Sequence, residues 1–173
     1  ALLAQDVTGK PFADLLQERI FTPLQMTETY LGAYKGTDNR QAKATIDNKP
    51  EPVYDAANET GAGGISSSAE DMLKFHEALL NNKLLPEKQK AEMLKNRVEV
   101  KENNSWYDYG WMTDKSAFDV SKKQIVTYNT GTDQGFAAMY AKGEDTDNCI
   151  ILLSNNGAGP GYDMVDLIFN MAN

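Results

Sequence analysis

From Arg97 onward the chain carries five strand-like runs in close succession: Val98 to Lys101, Tyr107 to Thr113, Gln124 to Tyr128, Phe136 to Ala141 and Asn148 to Ser154. Consecutive runs of this kind, rich in β-branched and aromatic residues and joined by short links, predict an antiparallel sheet. The preceding half reads differently. Pro11 suits the first turn of a helix, and Phe12, Leu15, Leu16 and Ile20 recur at helical spacing until Pro23 stops it. Ser67 with Glu70 three residues on forms a capping-box pattern, after which Met72, Phe75, His76, Leu79 and Leu80 fall on one face. Pro86 opens a further helix to about Asn96, and a closing helix is predicted from about Gly161 to Ala172. The fold class expected is α+β, an antiparallel sheet flanked by helices. Residues 1–173 read as one domain or part of one, with mainly helices and loops over 1–96 and the sheet with its closing helix over 97–173.

The chain has 173 residues, 41% of them apolar, enough for a core of ordinary size. Its formal net charge is -8 with no compensating cluster of Lys and Arg, so nucleic acid is not an expected partner. One His and one Cys do not assemble an imidazole or thiolate metal site, and no cofactor is implied. Cys149 lies in an apolar run and reads as a small buried hydrophobe. His76, among apolar residues on a helix face, reads as a packed, hydrogen-bonded residue rather than a catalytic one. The acidic run Glu144 to Asp147 has neither the Gly nor the distal Glu of a calcium loop and reads as a hairpin turn. No stretch approaches the roughly 20 apolar residues of a membrane span, and no signal peptide is recognisable. The opening Ala1-Leu2-Leu3, with no Met, suggests a processed or truncated start.

Two further segments invite a functional reading. Gly61-Ala62-Gly63-Gly64 lacks the Lys-Ser/Thr ending of a phosphate cradle, so tight turning before a helix is the better account. The polar stretch from Leu31 to Asn58 is long for a compact domain, and loops of that length commonly lie over a site. In the segment Tyr128 to Phe136, an apolar run leads into a Thr-Gly turn and a second strand leads out.

Four passages together resemble the serine β-lactamase-related family, which includes class C β-lactamases and D-Ala-D-Ala carboxypeptidases. They are Thr8-Gly9-Lys10-Pro11-Phe12 through Pro23-Leu24-Gln25-Met26-Thr27-Glu28-Thr29, Gly63-Gly64-Ile65-Ser66-Ser67-Ser68-Ala69-Glu70-Asp71-Met72, Tyr109-Gly110-Trp111, and Ile151-Leu152-Leu153-Ser154-Asn155. The resemblance runs in family order along nearly the whole chain. It implies an antiparallel sheet with an inserted helical region and an active site between them. It also implies a Ser-x-x-Lys whose Ser attacks a carbonyl, a Tyr-x-Asn, and a Lys/His-x-Gly on a sheet edge. No serine here is followed three residues later by Lys, and no tyrosine two residues later by Asn. In the family both motifs precede the passage that begins here at Thr8. The expectation is therefore a C-terminal portion of such an enzyme, a partial fold lacking the first strands and the nucleophile helix.

The third motif has a counterpart, Asn129-Thr130-Gly131, in which an uncharged amide replaces the usual cation. The resemblance implies substrate binding by Asn129, Thr130, Gly131 and Thr132, with the Thr132 amide as one oxyanion-hole donor. An ordinary strand end is the other reading of this stretch. Trp106, Tyr107 and the loop from Val53 to Asn58 read as packing rather than as a cleft lining. The implied partner is an acyl substrate or a peptidoglycan-like peptide, and the implied location is periplasmic or extracellular. A non-catalytic binding module or degenerate relic is the alternative from another class. A sheet without its first strands also exposes an edge that favours a homodimer by exchange of elements.

Overall fold

A computed structural model of the chain describes residues 1–32, 41–52, 59–101, 105–114, 125–133, 135–144 and 147–157. The closing helix expected near 161–172, the loop 53–58 and parts of the long loop and of the acidic run lie outside the described residues.

Helix α1 (Leu2–Thr8) ends at Gly9, whose φ of 67 supplies the left-handed cap. Helix α2 (Phe12–Leu16) follows Pro11 and continues into a π-helical turn, Gln17–Phe21, so the helix read from Pro11 to Phe21 is present but widens in its second half. Leu16, Phe21 and Met26 form one core cluster, against which Phe12, Ile20, Leu24, Leu31 and Phe75 pack. Strand β1 (Tyr30–Leu31) pairs antiparallel with β4 (Ile65–Ser66). The polar stretch between them contains a small hairpin, β2 (Thr45–Ile46) with β3 (Lys49–Pro50). Asp47 (φ 50) and Asn48 (φ 61) make its turn, the two positive-φ positions that a tight hairpin requires.

Helix α3 (Ala69–Leu80) is where it was expected, but its cap is shifted by one residue. The cap is Ser68, whose hydroxyl accepts from the Asp71 amide at 3.2 Å. Ser67 instead shares a 2.7 Å hydrogen bond with Thr29. Asp71 explains the shift, because it is 1% exposed and anchors the helix start to the 28–29 segment. It accepts from the Glu28 amide at 2.7 Å, the Thr29 hydroxyl at 2.9 Å and the Lys74 ammonium at 2.6 Å. Helix α4 (Glu87–Met93) follows Pro86.

The second half is a six-stranded antiparallel meander, β5 (Val98–Val100), β6 (Ser105–Asp108), β7 (Trp111–Asp114), β8 (Val126–Asp133), β9 (Phe136–Gly143) and β10 (Cys149–Ser154), each paired with its chain neighbours. Two expectations need correction. The run Tyr107 to Thr113 is not one strand, because the chain reverses at Tyr109 (φ 43) and Gly110 (φ 87), with Asp108 paired to Trp111. Nor do Thr130 and Gly131 form a turn. Strand β8 continues through them to Asp133, which pairs with Phe136, and the positive φ belongs to Gly135 at 86.

Cross-strand partners share a face, so Tyr128, Ala141 and Ile150 stand side by side. With Val126 and Met139 they make the sheet's buried cluster, against which Met112 and Leu152 pack. The β2 segment is stitched to the end of β10. The Thr45 amide donates to the Asn155 carbonyl at 2.8 Å, the Gly157 amide to the Thr45 carbonyl at 2.9 Å, and the Asn155 side-chain amide to the Lys43 carbonyl at 2.8 Å.

Candidate active site

Strand β8 changes character halfway along. Val126, Thr127 and Tyr128 are buried, whereas Asn129, Thr130, Gly131 and Thr132 are exposed. The buried half is fixed by neighbours on both sides. Thr127 pairs with Thr113 across to β7, its hydroxyl 3.3 Å from that of Thr113, and it donates to Glu144, which Lys142 approaches at 3.3 Å. The exposed half is paired on one side only. Strand β9 accompanies β8 to Asp133, but among the described residues β7 pairs with β8 only from Val126 to Tyr128. Residues beyond Tyr128 therefore present a strand edge with backbone donors and acceptors open to an extended ligand. The four residues singled out from the sequence are contiguous on this edge.

Alternation along the strand sets which side chains meet. Asn129 lies opposite Tyr140 of β9, and its side-chain amide donates to the Gly110 carbonyl in the β6–β7 turn. Trp111 reaches across β8 to Tyr140, their rings 5.5 Å apart and edge to face. The Tyr140 hydroxyl is 2.7 Å from His76 Nδ1, and His76 Nε2 is 3.3 Å from the Asp147 carbonyl. A carbonyl can only accept, so Nε2 carries the proton and Nδ1 accepts from tyrosine. Burial pushes the His76 pKa below its ordinary value; Lys142 adds to this, while the Asp147 carbonyl and the charges of Glu77 and Asp147 oppose it. Burial likewise drives the Tyr140 pKa upward. Both groups are thus neutral braces between α3 and β9, as expected for His76, and neither is poised to move a proton near neutral pH.

The depressed His76 pKa has a consequence for stability. Above pH 6.5 the imidazole is neutral in folded and unfolded chains alike. Below it only the unfolded chain readily gains the proton, so stability falls as pH drops through 6.5. His76→Gln is expected to lower stability at pH 8 but to flatten the slope between pH 6.5 and 5. Urea unfolding at several pH values reads this directly, and an unchanged slope would contradict it.

Two residues of the site were not identified from the sequence. Asp133 ends the exposed half of β8, and its carboxyl feels that of Glu59, which lies just before the Gly61 to Gly64 turn. Burial, and then the Glu59 charge, raise the Asp133 pKa. Tyr140 was the other, although strand alternation opposite Asn129 could have revealed it. A cavity of about 40 Å³ lined by His76, Leu79, Leu80, Lys90, Leu94, Tyr140 and Lys142 lies between α3, α4 and β9. It is far below the several hundred Å³ of a substrate pocket. The open β8 edge is the better candidate.

Comparison with known proteins shows the family and the fold. A family model described as Beta-lactamase matches residues 1–170. A protein of Bacillus subtilis strain 168 named as a penicillin-binding protein, PbpX, is 26% identical over 162 residues, covering 90% of this chain and 37% of its own length. Among solved structures, the penicillin binding protein from Bacillus halodurans superposes with a TM-score of 0.80 at 20% identity, over 99% of this chain and 53% of that one. The D-amino acid amidase from Ochrobactrum anthropi SV3 gives 0.77 at 23% identity, over 98% and 57%. The class C beta lactamase from Rhodobacter sphaeroides gives 0.78 at 19% identity, again over 98% and 57%. The chain thus spans about half the length of these solved relatives, and less of the curated one.

Proposed function

Because this chain belongs to the beta-lactamase family, we propose that it is the substrate-side, C-terminal portion of a serine hydrolase that cleaves an amide, ester or lactam through an acyl-enzyme. The observation that carries this reading is the one-sided pairing of β8 beyond Tyr128, which leaves Asn129 to Thr132 as an exposed strand edge where the family resemblance requires one. An acyl substrate lies extended along this edge. The Thr132 amide faces the oxyanion that forms when the carbonyl is attacked, and the Thr130 hydroxyl holds a polar substituent. Asn129 takes the place of the cation, and its amide already serves the Gly110 carbonyl. It therefore adds little attraction for a substrate carboxylate, which points away from penicillins as preferred substrates. The attacking Ser-x-x-Lys and the Tyr-x-Asn come from the remainder of the polypeptide, since neither pattern occurs in these 173 residues. The same reading places the protein outside the cytoplasm.

Asn129 also favours a second reading, a binding module of the same fold that holds a peptide along β8 without cleaving it. One experiment separates them. The full-length gene product is expected to label stoichiometrically with a fluorophosphonate at a serine outside this chain, and residues 1–173 alone to remain unlabelled by fluorophosphonate or penicillin. An adduct on any serine between Ser66 and Ser154 would sink the hydrolase assignment of this part, and an unreactive full-length product would leave the binding module.

A further inference from the structure

The exposed half of β8 is anchored from outside the sheet. Thr132 pairs with Ala137 of β9, and Ala137 with Ser154 of β10, so these three residues form the last three-strand row before the reversal at Gly135. Beyond this row the Ser154 hydroxyl turns the chain, accepting from the Asn156 amide and donating to the Asn156 carbonyl, both at 3.1 Å. The turn delivers residues 155–157 to Thr45. The Thr45 hydroxyl and amide both donate to the Asn155 carbonyl, at 2.9 and 2.8 Å, and the Thr45 carbonyl accepts from the Gly157 amide at 2.9 Å. Two glycines let this stitch sit directly on the β8–β9 turn. A Cβ at Gly157 would lie 3.1 Å from the Gly135 Cα, and one at Gly135 would lie 3.0 Å from the Thr45 amide and carbonyl. The stitch therefore bears on β8 twice, through the row of Thr132 and through the turn that follows it.

Resting on the hydrolase reading above, we infer that Thr45 and Gly157 are positioning residues for the oxyanion site, holding the Thr132 amide in the direction that receives the developing charge. The strand has no second neighbour to do this. Among the described residues β7 leaves β8 after Tyr128, so Thr132 has β9 on one side only and lies near the tip of the β8–β9 hairpin. Strands paired on one side twist more readily than strands held on both, and a tip tied to a third segment cannot follow that twist. An oxyanion donor works because it is aimed before the charge develops. A tip left free to twist would thus lose rate without losing affinity.

The limiting rate at which a fluorophosphonate labels the full-length gene product, and the concentration giving half that rate, separate aim from binding. Gly157→Ala presses a methyl against the Gly135 backbone and should lower the limiting rate about tenfold, with the half-rate concentration within about twofold of wild type. Thr45→Val, which removes only the hydroxyl bond to Asn155, should lower it about threefold, and Thr45→Ser should keep the wild-type rate. Asp71→Asn loosens the anchor of α3 instead and is the control for lost stability, with the limiting rate unchanged. Should Gly157→Ala fail to fold, Thr45→Val against Thr45→Ser decides. Unchanged rates in the Gly157 and Thr45 variants, a loss confined to the half-rate concentration, or an equal loss in Asp71→Asn would overturn this inference and leave the hydrolase reading standing. A full-length product that does not label would overturn both.

Discussion

Gly135→Ala is expected to lower stability by about 3 kcal/mol or more, a large part of what a domain of this size has to spare. Two costs coincide at this position. Gly135 has φ 86, a conformation that costs an L-residue about 1–2 kcal/mol. A Cβ built there would lie 2.9 Å from the Ala44 Cβ and 3.0 Å from both the amide and the carbonyl of Thr45. Those Thr45 groups are held by Asn155 and Gly157, so they cannot retreat without losing hydrogen bonds, and overpacking of this kind costs roughly 1–3 kcal/mol more. Gly110 is the control. Its φ is 87 and nothing lies within 4 Å of a built Cβ, so Gly110→Ala should show only the conformational cost. The two variants should differ by several degrees in Tm. Equal losses would mean that the 43–46 segment does not press on the β8–β9 turn in solution.

Asp71→Ala is expected to cost about 3 kcal/mol through a different mechanism. Three donors converge on this buried carboxylate, and the substitution removes the acceptor of the Glu28 amide and leaves the Thr29 hydroxyl only its bond with Ser67. Lys74 also reaches the Gln25 carbonyl at 2.6 Å, so it keeps one partner and moderates the loss. Burial by itself would raise the Asp71 pKa. The hydrogen bonds from Lys74, Thr29 and the Glu28 amide outweigh it and hold the carboxyl below its ordinary 3.8. Its contribution is therefore complete above pH 3.8 and is lost as pH falls through the lower native value. Asp71→Asn should retain some acceptor function and lose roughly half as much. Chemical unfolding at pH 7 and pH 3 reads both effects; a penalty for Asp71→Ala equally large at pH 3 would show that the carboxylate charge is not its source.

The elements legible from sequence were those whose periodicity reports burial. Helix α3 follows from its apolar spacing, which marks one covered face, and strands β9 and β10 from their apolar runs, β9 being buried on both faces from Met139 to Gly143. Strand β8 was recognised only as far as Tyr128 because its second half is exposed, and pairing with β9 rather than burial keeps it extended. The polar stretch Asn129 to Asp133 carries no hydrophobic signal, and its Gly131 looks like a turn when the reversal belongs to Gly135. The β6–β7 hairpin was hidden by Tyr109, a residue that seldom takes positive φ, although Gly110 beside it marked the bend. In the candidate site, the family resemblance supplied Asn129 to Thr132. Glu59 could not be joined to Asp133 by any local pattern, since 74 residues separate them and only the tertiary fold brings the two carboxyls together.

The stitch between Thr45 and the 155–157 segment also bears on how the chain becomes ordered. The meander from β5 to β10 pairs strands that are neighbours in the chain, the widest gap being that from Asp114 to Val126, and such contacts can form early. The hydrogen bonds from Thr45 to Asn155 and Gly157 close a loop of about 110 residues, whose entropic cost is recovered only once both halves exist. This clasp should therefore close late in folding and release first under native conditions. The Thr45 and Gly157 amides would then exchange with solvent sooner than those of Ala141 or Ile150, making the region beside the β8–β9 turn the earliest to open.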